Sequence, residues 1–295
     1  MSTYNYRAGP HIKYDGIQCI KIDCNHTCNM KCKGCQNTNE NIEIDFDVFK
    51  KIIMQLKNYN IKEISIHNMS EPLIYSNFKK AILFIKEQLP DISIFITTNG
   101  YALDKSNMEF ILKNIDCIKF SINYYDQYSS KNIMGIDIYD KIKNNIILLK
   151  EMRNNLDNSN CEIAGSTVID VPYLKNSKLY KHNEIIQLLD SHRFNPYLKQ
   201  GNTNLNGACG DPKFLNFNDF ILTKSIPCKK AFIIPIIGMN GDVSFCNFNQ
   251  SETIIGNIFK DNIYELYKNN KILNAHMIND VDVLKNSPCK WCLGL

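Results

Sequence analysis

The sequence predicts an α/β fold, a partial (βα)6 TIM-like barrel followed by a small β-hairpin-plus-helix domain, and three observations carry that reading. Strand-like apolar runs alternate with amphipathic helical patterns through most of the chain, the mark of a parallel sheet with right-handed crossovers. Six strands fall short of the eight that close a barrel, so the sheet is expected to stay open over about 200 residues. After Lys199 the pattern gives way to a Gly- and Asn-rich stretch, then to two short strands around a Met-Asn-Gly turn.

Taken in order, Gly16 to Asp23 reads as the first strand and Asp45 to Asn58 as the first helix, with Ile52, Ile53 and Leu56 on its apolar face. The unit repeats as strand 62–67 with helix 77–88, strand 92–97 with helix 104–114, and strand 117–122 with helix 139–152. Strand 161–169, helix 181–190 and strand 193–198 complete the barrel. Beyond a linker at 200–218, Ala231 to Gly238 and Asp242 to Cys246 read as strands, Asn262 to Lys271 as a helix, and the remainder as an irregular tail. The expected division is a barrel at 1–215 and an appendage at 216–295, the latter too small to supply much core of its own.

Composition mostly excludes. The chain has 295 residues, 44% hydrophobic and 22% charged, with a net charge of +4. Its basic side chains are nearly all Lys, Arg7, Arg153 and Arg193 being the only arginines, so no nucleic-acid footprint stands out. No apolar run approaches the roughly 20 residues of a membrane span. Met1 to Pro10 is polar, with no secretory apolar region, so the expected location is the cytoplasm. Twelve cysteines are then the anomaly, because thiols in that compartment stay reduced and clustered ones bind metal or do chemistry.

Cys28-Asn-Met-Lys-Cys32-Lys-Gly-Cys35 follows the first strand directly. Three soft thiolates in one short loop suit a four-iron cluster with one iron left open; a structural zinc would ask for a fourth ligand, and only Cys24 or His26 lies nearby. Cys228, Cys246, Cys289 and Cys292 form a second group around the hairpin and the closing CxxC. Four ligands close a site, and spacing alone suits a zinc ribbon almost as well as a second cluster.

The CxxxCxxC loop behind the first strand of such a barrel resembles the radical S-adenosylmethionine (SAM) superfamily. The resemblance implies that Cys28, Cys32 and Cys35 hold a 4Fe-4S cluster whose open iron is chelated by SAM. It implies reductive cleavage of SAM to a 5′-deoxyadenosyl radical that abstracts a substrate hydrogen, and a flavodoxin- or ferredoxin-type electron donor. Three strand ends match the family's SAM contacts. Asn68-Met-Ser70-Glu71-Pro72 sits where the family has Gly-Gly-Glu-Pro, Thr97-Thr98-Asn99-Gly100 ends the third strand, and Ser121-Ile-Asn123 ends the fourth. Asn68, Ser70, Glu71, Asn99, Ser121 and Asn123 are therefore the expected SAM-binding residues, with Glu71 expected on the methionine ammonium. Two departures stand out: Asn-Met-Ser replaces the glycines, and position 34 is Gly where an apolar residue usually touches adenine.

Cys228, twelve residues, Gly241, four residues, Cys246, Gly-Asn, helix and CxxC resembles the auxiliary-cluster half of SPASM members. The chain stops three residues after Cys292, which matches the shorter twitch domain and is similar to the arrangement of the butirosin-pathway aminocyclitol dehydrogenases. This implies one auxiliary 4Fe-4S cluster as an electron relay, and oxidation of a sugar, aminocyclitol or nucleotide sugar. A maturase of a ribosomal peptide is the alternative enzyme, against which stands the short segment before the first strand. A non-enzymatic iron-sulfur or zinc module is the alternative of another class.

Cys19, Cys24, Cys117, Cys161 and Cys209 remain. Cys19, Cys117 and Cys161 fall in strands and read as small buried apolar residues. Cys209, in the linker, is a candidate hydrogen donor as well as a candidate inert thiol. For a catalytic base the nominees are Tyr124, His67, Arg153 and Arg193.

Overall fold

Six short parallel strands, β1 (Cys19–Ile22), β2 (Glu63–Ser65), β3 (Ser93–Thr98), β4 (Cys117–Ser121), β5 (Glu162–Ile169) and β6 (Ser191–Pro196), lie side by side in sequence order. The computed structural model describes residues 17–32, 35, 39–157, 159–169, 183–196, 228, 231–232, 234–246 and 251–293. The C-terminal segment adds β7 (Ile236–Ile237) parallel to β1, then β8 (Asp242–Ser244) and β9 (Ile254–Asn257) as antiparallel neighbours. One sheet therefore runs β6-β5-β4-β3-β2-β1-β7-β8-β9, with the strand that precedes the Cys loop inside it rather than at an edge.

Helices α1 (Phe46–Leu56), α2 (Phe78–Gln88), α3 (Lys105–Asn114) and α5 (Tyr139–Asn154) are the crossovers. Crossovers of one hand put them all on one face of the sheet. Their apolar stripes (Ile52, Ile82, Ile111 and Ile142) share one core with Ile20, Ile64, Ile94 and Ile118 of the strands. Each of these side chains is fully buried, worth about 1.5–3 kcal/mol apiece in removal from water. Strands covered on both faces read as continuous apolar runs, but these alternate, as in Cys19-Ile-Lys-Ile and Cys117-Ile-Lys-Phe-Ser. The second face is polar, and it lies on the side away from the helices.

The expected barrel elements are present with shifted ends, and the differences have local causes. Helix α4 (Gln127–Met134) has no counterpart in the expected order. It lacks a continuous apolar stripe, but Asp126 and Ser129 form a reciprocal capping box and Gly135, at φ 86°, ends it. Helix α6 is described only as Glu184–Leu188, residues 170–182 lying outside the described residues, and β6 begins at Ser191. The expected linker at 200–218 also lies outside them.

The C-terminal segment departs further. Ala231 and Phe232 are helical rather than extended, so the expected strand shrinks to β7. The Gly256-Asn257 segment forms β9, a third strand that the expected hairpin did not include. The expected helix at 262–271 breaks at Asn270, whose carbonyl side chain accepts from the Ile272 and Leu273 amides and so starts a new helix. The result is α7 (Ile263–Asn269) and α8 (Lys271–Ile278), and the tail is α9 (Val281–Lys285) and α10 (Lys290–Leu293) instead of irregular chain. Among the described residues no helix is long and apolar enough to cross a membrane.

Candidate functional site

The loops that leave β1, β2 and β3 meet at the C-terminal end of the parallel strands, where open and closed α/β sheets assemble their sites. Asn25, fully buried just past β1, is the link that sequence reasoning missed. Its Nδ2 donates to the Thr27 and Glu71 carbonyls at 3.2 Å each, and its Oδ1 accepts from Ser70 Oγ at 2.8 Å. The Glu71 amide in turn donates to the Thr27 carbonyl at 3.1 Å. The only signal in the sequence was an Asn directly after an apolar strand, and two of its three partners lie some forty-five positions away, beyond any local pattern.

Glu71 is buried, 1% exposed, and its carboxylate is enclosed by the protein's own donors. Oε1 accepts from Thr98 Oγ1 at 2.6 Å and from the Leu73 amide at 3.1 Å, and Oε2 accepts from the Asn99 amide at 2.8 Å. Burial pushes its pKa up to about 7, partly offset by those same three hydrogen bonds. Glu71 therefore ties the turn after β2 to the end of β3. Of the expected residues, Ser70 and Asn99 come together around it and turn toward the β1 loop, while Asn68 lies half-buried at the start of the turn.

Asn99 reaches the cysteines. Its Nδ2 donates to Asn29 Oδ1 at 2.7 Å and lies 3.9 Å from Cys28 Sγ. The Cys28 amide donates to Asn39 Oδ1 at 2.7 Å, with Asn39 held at φ 55°, and the Cys35 amide donates to the Cys32 carbonyl at 3.2 Å. Cys32 Sγ lies 3.7 Å from Met134 Sδ, and an added Cβ on Gly135 would come within 3.2 Å of the Lys31 carbonyl, so the end of α4 presses on the loop. Burial pushes the Cys28 thiol up to about 11, so ionisation there calls for a cation. Among the described residues no three His, Cys, Asp or Glu side chains converge as a single-ion site. A cubane cluster asks for something else, one thiolate on each of three irons, and three half-buried thiols on one braced loop have that chemistry. Gly34 lies outside the described residues.

Ser121 and Asn123 lie at the end of β4, both half-buried, Ser121 beside Ser166 of β5. The base nominees separate. Tyr124 is a core residue, fully buried with its ring edge-on to Tyr139 and its hydroxyl without a hydrogen bond among the described residues; burial pushes its pKa far up. Arg153 forms a two-point pair with Asp190 and donates to the Cys161 carbonyl at the opposite end of the strands. Arg193 is exposed on β6, and His67 lies on the polar face. Cys209 lies outside the described residues. Cys19, Cys24 and Cys161 are buried and Cys117 half-buried; burial pushes all four thiols up, as inert packing requires.

Cys228, Cys246 and Cys289 are half-buried and pack against the main core from three different segments. The side chain of Cys292, in α10, lies outside the described residues. The surroundings include a residue that the spacing did not suggest. His276 of α8 is 1% exposed, and its Nδ1 accepts from the Cys228 amide at 3.5 Å.

Residues 23–161 match the family model of the Radical SAM superfamily. A GTP 3′,8-cyclase of Campylobacter jejuni strain RM1221 is 23% identical over 203 residues, 59% of this chain and 63% of that protein. A probable GTP 3′,8-cyclase of Saccharolobus islandicus is 23% identical over 129 residues, 43% of this chain. The match spans 41% of that protein, less than half its length. Among solved structures, anSMEcpe with bound AdoMet covers 94% of this chain and 87% of its own, with a TM-score of 0.65 and 16% identity. BtrN in complex with AdoMet and 2-DOIA covers 92% and 88%, with a TM-score of 0.51 and 16% identity. Streptococcus suis SuiB bound to the precursor peptide SuiA covers 88% and 66%, with a TM-score of 0.59 and 17% identity. At these identities the likeness to solved structures is one of fold, and that fold is the α/β partial barrel expected from the sequence.

Proposed function

We propose that this chain, which carries a Radical SAM superfamily domain, is an enzyme that uses SAM and an iron-sulfur cluster to take a hydrogen atom from a small metabolite. The observation that carries this reading is the bracing of the Cys28 loop by Asn25, Glu71 and Asn99 at the C-terminal end of the parallel strands. When bound, the cluster and SAM supply a 5′-deoxyadenosyl radical, the strong hydrogen abstractor that no side chain provides. Everything else is the work of the chain. Cys28, Cys32 and Cys35 would hold three irons, and the turn after β2 holds the loop through the Glu71 amide and carbonyl and the Ser70 hydroxyl. Glu71 fixes that turn through three protein donors on its oxygens and, with about four acceptor sites on a carboxylate, is assigned to the methionine ammonium as well. Ser121 and Asn123 are assigned to the ribose or carboxylate side of SAM.

Cys228, Cys246, Cys289 and Cys292 are assigned to a second, fully protein-ligated cluster in a twitch-type domain at 216–295, which suits electron transfer and a net oxidation. A sugar, aminocyclitol or nucleotide sugar is the proposed substrate class. Maturation of a ribosomal peptide is the second reading, favoured by the fold likeness to SuiB, whose structure holds a precursor peptide.

Anaerobic reconstitution with iron, sulfide, SAM and dithionite tests the reading. Wild type should form 5′-deoxyadenosine and Cys32→Ala should not; no 5′-deoxyadenosine from wild type would leave a non-enzymatic cluster module. Cys246→Ala should lower bound iron by about half while 5′-deoxyadenosine still forms. Unchanged iron would remove the second cluster.

A further inference from the structure

The polar face of the barrel carries two lysines that the site described above does not use. Lys21 of β1 and Lys119 of β4 stand at alternating positions opposite the isoleucines of the core, and so project to the side away from the helices. The strand register places Lys21 beside Ser65, Ser65 beside Phe95, and Lys119 beside Thr97. Phe95 is the centre of the group. Lys119 Nζ lies 5.4 Å from its ring centroid, and the His67 ring stands edge-on to it at 5.5 Å.

His67 is oriented by its neighbours. Its Nδ1 accepts from the Thr97 amide at 3.1 Å and from the Ser65 hydroxyl, which puts the ring proton on Nε2. Nε2–H makes no hydrogen bond among the described residues, so it is a donor left to a ligand. Burial and the two nearby ammonium groups hold the imidazole neutral. Neither Lys21 nor Lys119 forms a hydrogen bond or an ion pair among the described residues. Of the acids on this face, Asp23 is engaged by His26 at 3.1 Å, Glu63 sits one row lower beside Cys19, and Glu162 accepts from Ser191; Asp23 and Glu63 act on Lys21 through space without forming an ion pair with it. Half-buried ammonium groups cost desolvation free energy unless an anion meets them.

We propose that Lys21, Lys119 and His67 Nε2–H form the recognition site for a phosphate or diphosphate group of the substrate. Two ammonium groups balance a phosphate dianion, where a single carboxylate would need one, and a tetrahedral group with three free oxygens can take two point charges and a neutral donor at once. The inference rests on the radical SAM reading and narrows it. Among the proposed substrates it selects a sugar phosphate or nucleotide sugar over an uncharged sugar or a cationic aminocyclitol.

The test is calorimetric titration of the intact protein with inorganic pyrophosphate, and with malonate as the carboxylate probe. Wild type should bind pyrophosphate more tightly than malonate, and Lys21→Met and Lys119→Met should each weaken pyrophosphate binding by about tenfold or more. Lys113→Met, on the exposed surface of α3, should bind as wild type does. Lys119→Arg, which keeps the charge, should stay within a few-fold and guards against a Met variant that fails to fold. No pyrophosphate binding by wild type, equal binding by the folded Met variants, or tighter malonate binding would each overturn the proposal. The titration needs no SAM, so its failure in a protein that forms 5′-deoxyadenosine sinks this inference alone, whereas absence of 5′-deoxyadenosine sinks the parent reading.

Discussion

Thr98 Oγ1 lies 2.6 Å from Glu71 Oε1, a buried hydroxyl at the last position of β3 holding a buried carboxylate from the turn after β2. A carboxylate this far from water depends on every donor it has. Thr98→Val keeps the shape and removes the hydroxyl, leaving Glu71 one donor short, and the expected cost is about 1–3 kcal/mol in urea denaturation. Thr98→Ser should recover most of it. The same hydroxyl also accepts from the Gly100 amide at 2.9 Å, so a cost below a few tenths of a kcal/mol would mean that neither bond matters.

Asn25→Ala should loosen the cysteine loop. The substitution strips donors from the Thr27 and Glu71 carbonyls and the acceptor from Ser70, three bonds that join β1's exit to the 68–72 turn. The expected outcome is a protein destabilised by about 1–3 kcal/mol that retains less iron after anaerobic reconstitution. Asn25→Asp, which keeps the acceptor for Ser70, should fall between.

Gly100 is at φ 76°, and a Cβ there would lie 2.7 Å from the Phe120 ring. Gly100→Ala meets both an unfavourable backbone region and a clash with core, so the expected loss is about 1–3 kcal/mol, read from thermal or chemical unfolding. Gly100→Ala combined with Phe120→Leu should regain the steric part and leave the backbone part.

Acid should weaken the far end of the barrel through Asp190. Burial alone would raise its pKa, but hydrogen bonds from Arg153 and the Ile163 amide, with the Arg153 charge, bring it below the usual carboxylate value. The ionised form is thus favoured in the folded state. Its contribution is present above the unfolded pKa, near 4, and is lost as pH falls through the lower folded value. Arg153→Leu should cost about 1 kcal/mol near pH 7, since the pair is partly solvated, and the gap to wild type should narrow below about pH 4. A gap that is constant with pH would assign the loss to packing and to the Cys161 carbonyl bond alone.

The barrel was legible because its two faces are written in alternate residues: isoleucine toward the helices and Lys, Ser or Cys away from them in β1 and β4. The cysteine loop and the Glu71 turn were legible as order along the chain. Helix α4 was not, since its apolar residues make no continuous stripe, although its Asp126 and Ser129 capping pair and Gly135 were there to be read. The break at Asn270 was hidden because the same residue type that starts a helix also sits without penalty inside a polar surface run. Asn25 and His276 were out of reach for another reason: each matters through a partner dozens of positions away, and no periodicity marks such a pair.

β1 is flanked by β2 on one side and by β7 on the other, with the Lys21 amide bonded to the Pro235 carbonyl and the Asp23 amide to the Ile237 carbonyl. The strand that leads into the cysteine loop is thus completed by residues made more than two hundred positions later. On the ribosome, that edge of β1 stays open until the C-terminal segment has emerged, and closing so long a loop is slow. Assembly of the strand that leads into the cysteine loop is in this way bound to a segment synthesised more than two hundred residues later.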